Sequence, residues 1–387
     1  MVVGSSIIYL LTYFLSATCL KKSKQKKIDG WFILAVMFPV FLATFRVNTG
    51  TDYNSYVGIF NVNAQLSFSD WFLLNRSFSG DRIGIWIFSK IANCFGSEKV
   101  FFFLFSFILC CSVFWVLKNQ YSQYVFLVAL GFLTTTFSTG LNICKQMLAA
   151  GIIFCGLSYV TRRKLLRYIM VVLLAMCFHI TAACGIIIYF LYGKTSKNKA
   201  LGQIVTIFGV VIALLLLPQI LKLMGGRFAG YIEFDGVTYN RSFFLDCALL
   251  LMFIVLRRRY LKIDKRNDLF IFMFVLGVLL ELTGFQSPYL KRIASYFTIS
   301  QIVLLSQMPK LFAKNKLYLL IVIDVVYIVG IFLLTCGVLG QGDIIPYYTD
   351  LNIGFNVMIA FEICCYLTLL HDFLVHNYNR NCIKGYL

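Results

Sequence analysis

Apolar runs recur along the whole chain, and their length constrains the fold more than any motif does. A run of about 17 to 25 apolar residues is long enough to cross the roughly 30 Å hydrocarbon layer of a membrane as an α-helix. The chain is 60% hydrophobic and 13% charged, whereas soluble domains are about 25% charged. The sequence therefore predicts an all-α fold, a polytopic membrane helical bundle in which residues 1–387 form one integral membrane domain.

The net charge of +19 is concentrated in short segments between the apolar runs. Short loops rich in Lys and Arg face the cytoplasm in most membrane proteins. The basic segments are Lys21–Lys27, Lys118, Arg162–Arg167, Lys194–Lys199, Arg257–Arg266, Lys310–Lys316, and Arg380 with Lys384. We therefore interpret the charge as a topology signal, and no nucleic acid is expected as a partner.

One transmembrane topology of the chain places these basic segments on the cytoplasmic side. It has the N-terminus outside, the C-terminus inside and about thirteen transmembrane helices. The predicted spans are residues 5–20, 30–46, 98–118, 124–139, 143–160, 166–178, 179–192, 202–219, 242–257, 269–284, 291–308, 317–336 and 354–372.

Two segments are not expected to cross the membrane as one full span. If either did, basic clusters later in the chain would lie on the outer side of the membrane. Arg82–Phe95 is also short for a span, so we expect a re-entrant or interfacial helix there. Residues 166–192 are expected to turn back near Phe178–Thr181. This turn would bring His179 to the outer side or into an outward-facing cavity.

Polar residues from remote parts of the sequence fall at the outer face of this topology. They are Arg46 with Asp52, Tyr53 and Tyr56; Asn142 with Lys145 and Gln146; His179; Lys291 and Arg292 with Ser295 and Tyr296; and Tyr347 with Asp343 in the loop Gln341–Tyr348. The spacing of Asn142, Lys145 and Gln146 predicts one shared helical face. We expect these groups to converge on one site.

The residue types in this set suit chemistry on a phosphate. Arg offers a planar fork for two oxygens and Lys a point charge, and both stabilise an anionic leaving group. Asp52 or His179 can accept a proton from an attacking hydroxyl. Tyrosine rings can stack on sugars. The combination favours transfer of a glycosyl group from a lipid-linked phosphate donor at the outer surface.

Each of these residues also has a structural interpretation. Tyrosines at a membrane interface commonly form belts, Arg46 at the end of a span can extend to the head groups, and His179 can be a hydrogen-bonding residue of a hairpin. Lys145 and Arg292 are harder to explain in this way, because positive charge is disfavoured at the outer ends of spans.

Five sequence elements occur in a recognisable order. They are Phe45-Arg46, Thr49-Gly50-Thr51-Asp52-Tyr53-Asn54-Ser55-Tyr56, Lys145-Gln146-Met147-Leu148-Ala149, Phe178-His179-Ile180-Thr181-Ala182, and Arg292-Ile293-Ala294-Ser295-Tyr296-Phe297. Together they resemble the EpsG-type group of Wzy-like O-antigen (surface polysaccharide) polymerases. In that pattern Arg usually precedes the Gln of the third element, whereas Lys145 stands here, and Lys cannot reproduce the bidentate fork.

The resemblance implies an enzyme, a metal-independent glycosyltransferase of the bacterial cytoplasmic (inner) membrane. Such polymerases join undecaprenyl-pyrophosphate-linked oligosaccharide repeat units at the periplasmic or outer face, in the biosynthesis of O-antigen (lipopolysaccharide), capsule or exopolysaccharide. Membrane lipid and a chain-length regulator protein are the other expected partners. The implied catalytic residues are Asp52, His179 and Arg292, and the implied substrate-binding residues are Arg46, Tyr53, Tyr56, Asn142, Lys145, Gln146, Tyr296 and Tyr347.

We expect no metal and no cofactor. Of the three His, His371 and His376 fall on the predicted cytoplasmic tail, and the 13 Cys include no Cys-x-x-Cys with a matching partner. A glycine-rich nucleotide-binding loop is also absent from the sequence, as suits a donor already activated as a lipid pyrophosphate.

Two alternative functions remain open. Glu281, Asp324 and Glu362 are predicted inside spans, where acids are costly, and they would suit a flippase or transporter of the same lipid-linked glycan. His179 would suit a membrane O-acyltransferase that modifies the polysaccharide.

Overall fold

The computed structural model describes residues 2–75, 82–121, 124–192, 209, 241–285, 291–312 and 317–350. Within these ranges the chain is all-helical, and its only extended pairing is an isolated antiparallel bridge between Arg46 and Thr349. Several predicted features lie outside the described residues: span 354–372, span 202–219 apart from position 209, Lys194–Lys199, Lys314, Lys316, Glu362, His371, His376, Arg380 and Lys384.

Six helical segments in the described part of the chain are long and apolar enough to cross a membrane, as the sequence predicted for a membrane protein. They are Val2–Lys22, Glu98–Gln120, Val125–Asn142, Cys144–Thr161, Asn267–Phe285 and Leu319–Val338. Shorter apolar helices are Gly30–Thr44, Ile83–Cys94, Leu165–Met176, Ile180–Leu191 and Phe243–Val255. The predicted count of about thirteen spans is not confirmed by these lengths, because a short helix can also lie at the interface.

The helices are named in chain order. They are α1 (Val2–Lys22), α2 (Gly30–Thr44), α3 (Tyr53–Gln65), α4 (Phe68–Leu74), α5 (Ile83–Cys94), α6 (Glu98–Gln120), α7 (Val125–Phe132), α8 (Ser138–Asn142), α9 (Cys144–Thr161), α10 (Leu165–Met176), α11 (Ile187–Leu191), α12 (Arg241–Val255), α13 (Arg257–Ile263), α14 (Asn267–Glu281), α15 (Ser295–Thr298), α16 (Gln301–Gln307) and α17 (Leu317–Phe332). Short 3₁₀ segments cover Ile180–Ile186, Leu282–Phe285, Arg292–Ala294, Met308–Leu311 and Gln341–Asp343, and π-helical segments cover Leu133–Phe137 and Leu333–Val338.

Helices α1, α2, α6 and α9 pack side by side in this order. Polar contacts fix their register inside the apolar core: Ser16 Oγ donates to the Ala35 carbonyl at 2.6 Å, and the hydroxyls of Tyr13 and Ser138 are 2.7 Å apart. Such buried hydroxyls need partners, because an unsatisfied polar group in an apolar interior is costly.

The turn between α1 and α2 is closed by Asp29, which caps α2. Its carboxylate accepts hydrogen bonds from Phe32 N at 2.9 Å, Ser23 Oγ at 2.7 Å and Lys24 N at 2.7 Å. Burial alone would raise the pKa of Asp29, but these hydrogen bonds outweigh it and lower the pKa to about 2. The buried Lys118 ammonium of α6 donates to Ser23 Oγ at 3.0 Å, so the turn is tied to α6.

The predicted helical hairpin in residues 166–192 is confirmed. Helix α10 ends at Met176 and the next helical turn begins at Ile180. Tyr168 Oη donates to the Gly185 carbonyl at 2.7 Å. In a straight helix these residues would lie about 25 Å apart, so the chain folds back at the turn that contains His179.

Helix α5 is the segment expected to lie at the interface or to re-enter the membrane. It has 12 residues, which is about 18 Å of helix and less than the hydrocarbon thickness. Gly84 N donates to the Cys177 carbonyl at 2.8 Å, and a Cβ at Gly84 would lie 2.7 Å from that oxygen. The start of α5 therefore contacts the turn of the helical hairpin, and a side chain at position 84 would force them apart.

Residues 291–308 were expected to form one span. Successive 3₁₀ and α segments cover Arg292 to Gln307, and the backbone keeps right-handed helical dihedral angles at Ala294, Ser295 and Ser300, where these segments meet. Another expectation about helices is wrong. Asn142 was expected to share a helical face with Lys145 and Gln146. Instead it ends α8, and the chain bends at Ile143 (φ −107°, ψ 60°) before α9 begins. Long-range contacts of Asn142, described below, override the helical spacing.

Candidate active site

The segment Thr49–Asp52 is held between α8 and the loop Gln341–Asp343. Gly50 N donates to the Asp343 carbonyl at 2.9 Å, and Thr51 N donates to the Gly342 carbonyl at 3.1 Å. Gly50 has φ +99°, and a Cβ there would lie 3.1 Å from the Leu141 carbonyl oxygen. Glycine is therefore required both by the backbone conformation and by the close approach to α8.

Asn142 fixes the position of the Asp52 carboxylate. Its side-chain oxygen accepts from Thr51 Oγ1 at 2.7 Å and from Asp52 N at 2.8 Å. The Asp52 carboxylate then faces Arg292, with 3.2 Å between Asp52 Oδ2 and Arg292 Nη1. The two side chains are 28% and 32% exposed, so solvent screens the ion pair and an anionic ligand can compete for the guanidinium.

The backbone of Arg292 is held by two neighbours. Gln146 Nε2 donates to the Arg292 carbonyl at 2.5 Å, and Ser295 Oγ donates to the same oxygen at 2.8 Å. Gln146 is buried. The hydrogen bond from Gln146 joins α9 to the 3₁₀ turn that carries Arg292, and the hydrogen bond from Ser295 closes that turn.

Lys145 and Tyr56 extend the site on its α9 side. The Lys145 ammonium lies 5.4 Å from the centroid of the Tyr56 ring, within the range of a cation–π contact. Tyr56 is buried in α3, so the ring forms part of the wall that supports the lysine.

His179 lies in the hairpin turn, before the helical segment that starts at Ile180. Its Nδ1 is 2.7 Å from Thr181 Oγ1 and 3.5 Å from Tyr296 Oη, and these two hydroxyls are 3.1 Å apart. Burial, together with the positive charges of Lys145, Arg292 and Arg82, lowers the pKa of His179 to about 4. The imidazole is therefore neutral near pH 7 and able to accept a proton.

Three of the predicted site residues are buried beneath the Thr49–Asp52 segment. Arg46 is 1% exposed, and its guanidinium lies 4.7 Å from the Phe102 ring centroid and 5.9 Å from that of Tyr53. The Tyr53 ring stacks on Phe102 at 4.9 Å. Tyr347 Oη donates to the Leu42 carbonyl at 3.0 Å. Arg46, Tyr53 and Tyr347 are therefore buried in packing contacts next to the site, and the idea that Arg46 extends to the head groups is wrong.

A cavity of about 380 Å³ opens beside Arg292. Its walls include Asn142, Lys291, Arg292, Ser295, Asp246 and Glu281. The sequence analysis did not select Asp246 or Arg82 as site residues. The position of Asp246 as an acidic residue inside an apolar run could have identified it from the sequence. Arg82 affects the pKa of His179 only because α5 contacts the hairpin, which the sequence does not show.

Among the residues that the structure describes, no three His, Cys, Asp or Glu side chains lie close enough together to hold a metal ion. Metal independence of the reaction remains a prediction. The described site offers three kinds of group: cations able to hold phosphate oxygens, proton acceptors, and hydroxyls or amides able to contact sugars.

Eight of the eleven sequence-predicted residues thus belong to one connected site: Asp52, Tyr56, Asn142, Lys145, Gln146, His179, Arg292 and Tyr296. The family model described as the EpsG family matches residues 30–349, a range that contains all eleven. No curated protein and no solved structure matches this chain.

Proposed function

Because this membrane protein belongs to the EpsG family, we propose that it is a polysaccharide polymerase, a glycosyltransferase that joins undecaprenyl-pyrophosphate-linked oligosaccharide repeat units. The observation that carries the proposal is the ion pair between Asp52 and Arg292, a residue of the cavity wall, with His179 nearby. A cation that can hold a pyrophosphate and a base that can activate a hydroxyl are the two parts that glycosyl transfer from a lipid pyrophosphate needs.

In the proposed reaction, Arg292 and Lys145 contact the pyrophosphate of the donor lipid. The bond between the anomeric carbon and the pyrophosphate oxygen breaks, and the hydroxyl oxygen of the acceptor repeat forms the new bond to that carbon. The hydroxyl proton passes to Asp52 or His179, and the lipid pyrophosphate leaves with its negative charge stabilised by the two cations.

Asp52 becomes available as a base when Arg292 binds another anion and the ion pair between Arg292 and Asp52 opens. The pyrophosphate of the donor supplies such an anion, and the partial exposure of both side chains makes the exchange inexpensive in free energy. His179 needs no such release, since its low pKa already leaves it neutral near pH 7. Both residues therefore stand as candidates for the base.

The remaining site residues position these groups. Asn142 and Gln146 hold Asp52 and the Arg292 backbone by hydrogen bonds, Tyr56 supports Lys145, and Tyr296 holds the Thr181–His179 pair. Arg46, Tyr53 and Tyr347 act through packing.

The proposed location of the reaction is the outer face of a bacterial cytoplasmic membrane. In this proposal the N-terminus lies outside, the C-terminus lies inside, and a chain-length regulator protein is a partner.

A flippase of the same lipid-linked glycan is the second candidate, because a cavity lined by Asp246 and Glu281 also suits passage of a polar head group. A deletion strain complemented with Arg292→Ala distinguishes the two. The polymerase proposal requires loss of the glycan ladder on a gel while a single repeat unit still reaches the surface.

Other results of the same complementation would contradict the proposal. Loss of all surface glycan supports the flippase, and a full ladder that lacks only an acyl decoration in a His179→Ala strain supports the O-acyltransferase. Arg258→Ala is the matched control, because Arg258 is an exposed arginine of α13 outside the site, and it should leave the ladder intact.

A further inference from the structure

Two carboxyl groups meet inside the bundle, on the wall of the same cavity as Arg292. Asp246 comes from α12, and Glu281 is the last residue of α14. Their side chains are hydrogen-bonded to each other, and Lys291 lies close enough to interact electrostatically with both. A hydrogen bond between two carboxyl groups requires a proton on one of them. That proton lies between the two groups, so the pair presents acceptor oxygens to the cavity.

Packing alone does not explain this pair. Ionisable groups within an apolar bundle are costly and usually serve a function. Here they face a cavity of about 380 Å³ instead of a closed core, a size within the roughly 300–1,000 Å³ of small-molecule sites. The cavity therefore has room for a ligand beside the two acids.

The wall of the cavity selects the class of ligand. Besides the acids it carries the amide of Gln301 and the hydroxyls of Thr139 and Thr298. Other hydroxyls of the wall already donate to backbone carbonyls and can act as acceptors for a ligand: Thr134, Thr135, Ser138 and Ser295. Carboxylates repel phosphate, whereas carboxylates, amides and hydroxyls together satisfy the many hydroxyls of a sugar. A phosphate therefore belongs with Arg292, and a sugar belongs with Asp246 and Glu281.

We propose that the Asp246–Glu281 carboxyl pair is a sugar-binding subsite, which holds hydroxyls of a lipid-linked repeat unit while the pyrophosphate of that unit contacts Arg292. The inference rests on the proposed polymerase function and extends it to the saccharide. The carboxyl oxygens of the pair that are not engaged in its own hydrogen bond accept hydrogen bonds from sugar hydroxyls.

Binding to the full-length protein in lipid nanodiscs tests the subsite with two probes. One is the lipid-linked repeat extracted from a strain deleted for this gene, and the other is undecaprenyl pyrophosphate without sugar. Asp246→Asn and Glu281→Gln should weaken binding of the repeat about tenfold, because each removes a hydrogen bond to a charged group. Binding of the sugar-free lipid should stay unchanged in both variants.

Gln301→Met provides a variant that leaves both acids in place. It removes an amide from the cavity wall with little change in volume, and it should weaken binding of the repeat and spare the sugar-free lipid. Asp324→Asn is the matched control, because Asp324 is a fully buried acid of α17 that does not line this cavity. It should bind both probes like the wild type.

Three results would overturn the subsite: unchanged binding of the repeat in the acid variants and Gln301→Met, equal losses for both probes, or a comparable loss in Asp324→Asn. Failure of the polymerase function would look different. In that case the wild-type gene would not restore the glycan ladder, and Arg292→Ala would bind undecaprenyl pyrophosphate as the wild type does.

Discussion

Arg292 Nη1 lies 3.2 Å from Asp52 Oδ2, which joins the second and the last of the five sequence elements across most of the chain. Each side chain is about a third exposed, so the pair contributes little to stability, in the range of about 0–1 kcal/mol for screened ion pairs. In the proposed reaction its importance lies in exchange: a pyrophosphate bound by Arg292 would leave the Asp52 carboxylate free beside the acceptor.

Asp52→Asn separates binding from catalysis. We expect loss of the glycan ladder, because the amide accepts no proton from the hydroxyl, while binding of undecaprenyl pyrophosphate is kept or tightened, since the competing carboxylate is gone. Ladder gels and nanodisc binding measure the two effects. Asp350→Asn is the control, an exposed acid paired with Lys99. A normal ladder in Asp52→Asn would remove Asp52 from the candidates for the base.

Asn142 and Thr51 allow a graded test of positioning. Thr51→Val removes one of the two hydrogen bonds to the Asn142 oxygen, and Asn142→Leu removes both. We expect a small loss of polymerisation rate for the first and about 100-fold for the second, since misplacing a reacting group by about 1 Å has effects of that size. Each lost bond should cost about 1 kcal/mol of stability. Equal rates in both variants would contradict the role of Asn142.

Gly50→Ala tests the close approach of the Thr49–Asp52 segment to α8. A methyl group at φ +99° and 3.1 Å from the Leu141 carbonyl should destabilise the fold by about 1–3 kcal/mol. Thermal unfolding in detergent measures this change. Gly58→Ala is the control, because a Cβ at Gly58 in α3 has no atom within 4 Å and alanine favours helix. A similar melting temperature for both variants would be inconsistent with this geometry.

The pKa of His179 predicts a pH dependence of stability. The folded-state pKa is about 4, below the unfolded value of about 6.5. The unfolded chain therefore binds more protons between these values, and stability should fall as the pH decreases from about 6.5 to 4. The difference in melting temperature between pH 7 and pH 5 should shrink in His179→Gln, which does not titrate. An unchanged difference would mean that His179 is already solvated.

Charge counting predicted more of the local structure than residue spacing did. The turn at Phe178–His179 followed from the need to keep basic loops on one side, and the hairpin contact between Tyr168 and Gly185 confirms it. The prediction that Asn142 and Lys145 share a helical face was wrong, because it assumed one continuous helix. The hydrogen bonds that Thr51 and Asp52 donate to Asn142 stabilise a helix that is interrupted after Asn142.

The sequence predicted most of the residues that the structure brings together in the candidate site. It did not predict how deeply each of them is buried. Arg46, Tyr53 and Tyr347 carry polar groups that a sequence pattern assigns to a ligand, yet they are buried among α2, α6 and the loop after Gly340. Burial depends on which helix covers a residue. Asp246 shows the converse, since it reaches the cavity only through the packing of α12 against α14.

The sequence by itself determined that this chain is a helical membrane protein of the EpsG family, because hydropathy and motif order are properties of the linear chain. The tertiary structure alone decided which polar groups face the cavity and which support it. Contacts such as that between Asp52 and Arg292 form only after the bundle has packed, and their distances depend on every helix between the two residues.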